Sequence, residues 1–256
     1  GTETDEDQTG MMIKQPAVNI GMSVKSVNLK HCSVKREYAT TVPSFATLGS
    51  SVSLSLEDTK VDVVEPEGSQ PAILLKGGTL DIKDNSSVNA SYNCVKSDGG
   101  ASSKTACIYA VCESGGVPAL TVRDSSVTCI QSNSEGEAYC ISLASPNGVA
   151  PGTIPTLNVI ASTLKVESPT SESGIVYLGA YNVDYPFANT EVMIDGAVDF
   201  NAPIILAEDK AINIGPNLSL VEGASPIDVV VGGYEFNADN IANGRVQSAY
   251  IKGVQE

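Results

Sequence analysis

One short phrase recurs along this chain, and the recurrence constrains the fold more than any other feature. A first apolar alternation appears as Leu54-x-Leu56, Leu80-x-Ile82, Leu120-x-Val122, Leu157-x-Val159, Val192-x-Ile194 and Ile212-x-Ile214. A polar or glycine turn follows each, among them "EDTK", "KDNSS", "RDSS" and "IAST". A second alternation comes next: Val61-x-Val63, Val88-x-Ala90, Val127-x-Cys129, Leu164-x-Val166, Val198-x-Phe200 and Leu218-x-Leu220. Most copies add a third apolar run, "AILL", "CIYAV", "YCISL", "GIVYL" or "PIIL". Successive copies start 26, 40, 37, 35 and 20 residues apart, and the drift lies in two loops while strands and first turn hold their spacing.

A three-strand unit with one apolar face cannot bury itself alone. Stacked on copies of itself, it pairs each strand with its equivalent one rung away, at about 4.8 Å. Inward residues then form apolar columns, and loops project sideways, where their length is free to vary. The expected fold is all-β, a right-handed parallel β-helix of about five to six three-strand rungs. The alternative is a β-sandwich or jelly roll, which suits short alternating strands but does not explain recurrence in phase. Residues 1–12 read as an acidic disordered tether, 13–48 as an N-terminal cap or degenerate first rung, 49–225 as the β-helix and 226–256 as capping strands. The segment "ADNIANGRV" is a weak helix candidate whose Asn and Gly argue against it.

Composition suits that architecture. With no tryptophan, four phenylalanines and nine tyrosines, the core must come from Val, Ile, Leu and Ala. The formal net charge of −15 opposes binding to nucleic acid and to anionic membranes or polysaccharides. Neutral glycans and surface proteins remain as partners. No apolar run approaches the roughly 20 residues needed to span a bilayer as a helix. Six cysteines form no CxxC pair, so a zinc knuckle is disfavoured. Cys129 and Cys140 read as buried apolar residues. Cys94 and Cys112 flank a loop and would be the pair to bridge in an oxidising compartment.

The repeated pattern resembles the right-handed β-helices of the pectin-lyase-like superfamily, above all the non-enzymatic solenoids of bacterial surfaces, over about residues 50 to 225. Hydrolases of that superfamily cluster aspartates in an "NTD…DD" pattern followed by "HG" and "RxK", and none of these strings occurs here. The acidic opening "GTETDEDQTG" is similar to the tether that follows the lipidated cysteine of some bacterial surface lipoproteins. The resemblance implies an extracellular or cell-surface protein, possible lipid anchoring through a removed N-terminal cysteine included.

Two residue groups stand out as sites. The turn aspartates Asp58, Asp84 and Asp124 would stack on successive rungs, where three carboxylates could hold Ca²⁺. Against this, Asp and Ser at tight turns bond their own backbone. The connection "YLGAYNVDYPFAN" gathers Tyr181, Asp184, Tyr185 and Phe187 in an aromatic-poor chain, a platform for sugar rings or a protein partner. His31 is the only histidine, so a Ser–His–Asp or Cys–His arrangement would need it. The expected function is therefore non-catalytic: loops presented from a rigid rod for adhesion or for glycan or protein binding. A glycan-active hydrolase or lyase with an atypical site and a purely structural spacer are the two rivals.

Overall fold

The computed structural model describes residues 18–19, 25–37, 45–65, 70–93, 104–112, 116–134, 136–144, 155–170, 172–178, 191–206, 212–231, 234–235, 237–243 and 251–252. They form a right-handed parallel β-helix with three long sheets, of nine, eight and seven strands, ordered by every third strand along the chain except at the C-terminal end, where Tyr234–Glu235 adds directly to Val229–Val231 and Ile251–Lys252 adds to Ile212–Ile214. Each coil supplies one strand to each sheet in turn. The second coil is typical: Ala46–Leu48, then Ser53–Glu57, then Lys60–Glu65. All pairings are parallel except that of Val229–Val231 with Tyr234–Glu235, an antiparallel pair at the C-terminal end.

The repeated alternations are the inward columns. In the second sheet Val27, Leu54, Leu80, Leu120, Leu157, Val192 and Ile212 lie in unbroken register. In the third sheet Val34, Val61, Val88, Val127 and Leu164 do the same. Stacking like on like buries these side chains without needing large rings, and Leu80, Leu120, Val127 and Leu157 are fully buried. The rival sandwich is thereby excluded, since its sheets are antiparallel.

The structure holds seven full coils, more than the repeat count suggests. Within residues 13–48, set apart above as a cap or degenerate rung, Val18–Asn19, Ser26–Lys30 and Ser33–Glu37 pair in register with the second coil. Their phrase is masked because Arg36 occupies the inward position that Val63, Ala90, Cys129 and Val166 hold on later coils. At the other end Leu220, and not Leu218, sits over Val198. Beyond it, Ala238–Ala242 forms a one-turn helix capped by Asn237, whose side chain accepts from the Asn240 N–H at 2.9 Å. Of the two asparagines that argue against a helix, Asn240 lies inside this single turn and Asn243 ends it as the C-cap, while the residue that starts it, Asn237, stands just before the segment.

A second, smaller apolar cluster lies on the outer side of the first sheet. Ala106, Tyr109, Tyr139 and Ala144 are buried there, with Leu74, Val111, Tyr177 and Ile205 packed against them. Tyr139 and Tyr177 stack with centroids 4.6 Å apart. Burial, reinforced by the hydroxyl's bond to the Glu137 carboxylate, pushes the Tyr139 phenol well above its ordinary value. Several of the few aromatic residues thus work outside the core columns.

Candidate functional site

The corner between the second and third sheets is the most regular part of the coil, and it carries the turn aspartates. The first six of the seven coils turn there within one to three residues, whereas the seventh takes four, residues 215–218. Those six do so through a left-handed residue: His31 (φ 52°), Asp58 (45°), Asp84 (56°), Asp124 (49°), Ala161 (47°) and Gly196 (70°). Asp and Asn visit this region more readily than most residues, and Gly does so freely. That conformational demand accounts for aspartate at three of these positions without any ligand.

The three aspartates do share one column, as their spacing predicts, but they stay on separate coils. Among the described residues no three His, Cys, Asp or Glu side chains converge as a metal site would require. Asp58 turns instead to His31, with Nδ1 and Oδ2 2.6 Å apart, both largely exposed. His31 and Cys32 together form the turn between Ser26–Lys30 and Ser33–Glu37. Cys32 Sγ points back to the Lys30 carbonyl, 3.2 Å away. Tyr181, Asp184, Tyr185 and Phe187 lie outside the described residues, as does Cys94.

Behind the left-handed residue runs a ladder of side-chain hydroxyls that closes the corner. Cys32 N–H donates to Thr59 Oγ1 at 3.4 Å, and Thr59 N–H donates to Ser86 Oγ at 3.0 Å. Two coils further on, Ser125 N–H donates to Ser162 Oγ at 3.3 Å. The hydroxyls donate in turn to backbone carbonyls: Thr59 to Glu57 at 2.9 Å, Ser86 to Lys83 at 2.6 Å and Ser162 to Ile160 at 2.7 Å. Each rung satisfies a buried amide that a tight turn would strand.

The ladder breaks once. The turn after Lys83 is one residue longer than its neighbours, and the extra residue, Asn85, is also left-handed, at φ 63°. Asn85 N–H takes the bond to the next coil, donating to the Asp124 carbonyl at 2.8 Å. The Ser86 N–H is diverted to the Lys83 carbonyl at 3.2 Å. Ser125 Oγ, the acceptor that Ser86 would have used, is left buried with no hydrogen-bond partner. A buried hydroxyl without a partner costs about 1–3 kcal/mol, so it marks a place where stability has been given up.

A shallow depression of about 390 Å³ opens at that break, lined by Asn85, Ser86, Asp124, Ser125, Ser126, Ala161 and Thr163. Its chemistry is hydroxyl, amide and a single carboxylate, which suits hydrogen bonding to a neutral polar ligand. Sequence reasoning found Asp124 but missed the depression. The available signal was the length of "KDNSS" against "RDSS".

The remaining reactive groups are spent on structure. Asp195 accepts from the Gly196 N–H at 2.9 Å and from the Asn217 N–H at 2.9 Å, and the first bond chiefly holds its carboxyl below the usual range. Cys107, Cys129 and Cys140 are free and fully buried. Burial pushes the Cys129 thiol up to about 12, and the other two rise for the same reason. No family model, no curated protein and no solved structure matches this chain.

Proposed function

We propose that this chain is a non-catalytic β-helix of a cell surface or secretion, of the pectin-lyase-like solenoid type, that presents polar features for adhesion or glycan binding. The observation that carries the reading is the broken hydroxyl ladder: a corner that leaves Ser125 Oγ buried without a partner beneath a depression lined by hydroxyls and an amide. Such a surface offers neutral hydroxyl-bearing ligands both donors and acceptors, held by a backbone that does not move to meet them. The net charge of −15 favours a neutral ligand over an anionic one.

A glycan-array screen with three variants tests it. Ser125→Ala removes the orphan hydroxyl. Deleting Asn85 lets the ladder re-form and closes the depression. Tyr181→Ala/Tyr185→Ala removes the aromatic platform of the 177–189 connection. The expected result is a neutral glycan bound by the natural chain and lost in the first two variants. Loss in the tyrosine pair alone moves the site to that connection. No binding by any of the four proteins overturns the glycan reading in favour of a protein partner or a spacer.

A further inference from the structure

Most carboxylates that face outward near the corner are engaged. Glu57 pairs with Lys30, Asp58 with His31 and Asp199 with Lys165. Asp62 takes both Lys60 and the Asn89 amide, and Asp81 lies 3.7 Å from Lys83. Asp195 is held by Gly196 and Asn217. Asp124 differs: among the described residues its carboxylate has no ion pair and no hydrogen bond. Asp84 shares that lack, but it does not line the depression.

Asp124 is the one charged residue of the lining. The two nearest cations in the sequence, Lys83 and Arg123, stay outside it. Lys83 is drawn to Glu57 on the coil before and to Asp81 on its own strand. Arg123 ends Ala119–Arg123 and belongs to the second sheet, whereas the lining residues that lie on strands, Ser126 and Thr163, belong to the third.

The depression thus holds one full negative charge and no positive one. An ionised carboxylate only accepts hydrogen bonds. The Ser86 hydroxyl is already spent, since it donates to the Lys83 carbonyl and accepts from the Thr59 N–H. What is left for a ligand is the Asp124 carboxylate, the Asn85 amide and the Ser126 and Thr163 hydroxyls. Beneath them lies Ser125, 8% exposed, with Oγ buried and without a partner. A positively charged group that only donates suits this set better than a hydroxyl does. An ammonium offers three donors, and its bond to a carboxylate is charge-assisted.

Resting on the reading of the depression as a glycan site, we propose that the sugar it prefers carries a free protonated amine, and that Asp124 is the residue that selects it. The preferred ligand class is then the amino sugars, taken as the amine and not as the N-acetyl form. The net charge of −15 adds a general attraction for any cation. Selection therefore has to be local to Asp124 and not a property of the whole surface.

Titration calorimetry of the full chain with a glucosamine trimer and with its fully N-acetylated counterpart tests this. Mildly acidic buffer keeps the amines protonated, and salt at about 0.1 M screens charges beyond about 10 Å. Asp124→Asn removes the charge and keeps the turn, because Asn visits the left-handed region as Asp does. Glu222→Gln removes the same charge from an exposed position after the last strand of the seventh coil. The natural chain should bind the amine trimer about threefold more tightly than the N-acetylated one, as an exposed ion pair allows. Asp124→Asn, shown folded by circular dichroism, should erase that difference, and Glu222→Gln should keep it. Equal affinity for the two trimers, a preference that survives Asp124→Asn, or one that Glu222→Gln also erases overturns the proposal and leaves the glycan reading standing. A natural chain that binds neither trimer overturns it as well, and the glycan array then decides the broader reading by itself.

Discussion

The middle coils and the end coils use the same phrase and obtain different burial from it. Leu120 has Leu80 on one side and Leu157 on the other, and it is fully buried. Leu220 has only Val198, and it is 43% exposed. In a solenoid a residue is buried by its neighbours along the axis, so position in the stack, and not residue type, sets what a side chain contributes. Stacking is interrupted at the ends and at the corner where Asn85 breaks the hydroxyl ladder.

Thiol labelling should break the comparison open most widely. Cys32 lies partly exposed on the first coil, whereas Cys107, Cys129 and Cys140 are fully buried in the middle ones. The thiolate is the reactive form, and burial suppresses both access and ionisation. Site-resolved alkylation should modify Cys32 about a thousandfold faster than those three, as an opening free energy of roughly 4 kcal/mol would require. Comparable rates would mean that the middle coils open as readily as the end.

Truncation of a column residue should show the same gradient in stability. Leu120→Ala is expected to cost about 3 kcal/mol, by lost transfer energy and a cavity held open from both sides. Leu220→Ala should cost less than about 1 kcal/mol, because its site is half solvent already. Denaturant midpoints for the two variants decide it, and equal losses would refute a gradient along the axis.

The corner offers a smaller change of opposite sign. Ala161 sits at φ 47° with no special liking for that region. Ala161→Gly should raise stability by about 0.5 kcal/mol, since release from the left-handed penalty of about 1–2 kcal/mol outweighs the added freedom of the unfolded chain. A fall in the thermal midpoint would mean that the Ala161 methyl packs more usefully than its backbone is strained.

Titration gives the smallest effect. The Lys30 ammonium of the first coil holds the Glu57 carboxyl of the second below its usual range, and the Gly196 N–H does so for Asp195 at the sixth. A carboxyl lowered on folding stabilises the protein above the unfolded value, near 4, and that stabilisation is lost as pH falls through the folded value. Glu57→Gln and Asp195→Asn should therefore each lower the thermal midpoint slightly at neutral pH and not at strongly acidic pH. A deficit that persists in acid would point to packing and not charge.

Much of this fold could be read before any coordinates. The alternations Leu80-x-Ile82 and Val127-x-Cys129 are inward positions because strand geometry has a period of two, and their recurrence in phase requires stacking. The first coil was harder to read, because Arg36 takes an apolar column position and its polar head breaks the pattern. The turn aspartates were legible as a column but not in purpose. A left-handed backbone and a metal site ask for the same residue, so the sequence pattern alone does not tell one from the other.

The sequence by itself determined the stacking of like strands and the inward columns, because these follow from local periodicity. Only the tertiary structure decided which hydroxyl would be left over. Ser86 and Ser125 stand 39 residues apart and carry nothing in their own surroundings to mark one as partnered and the other as not. That outcome depends on which amide of one coil faces which hydroxyl of the next. A single added residue at Asn85 shifts that alignment, and stacking turns a local change of length into an unfilled bond one coil away.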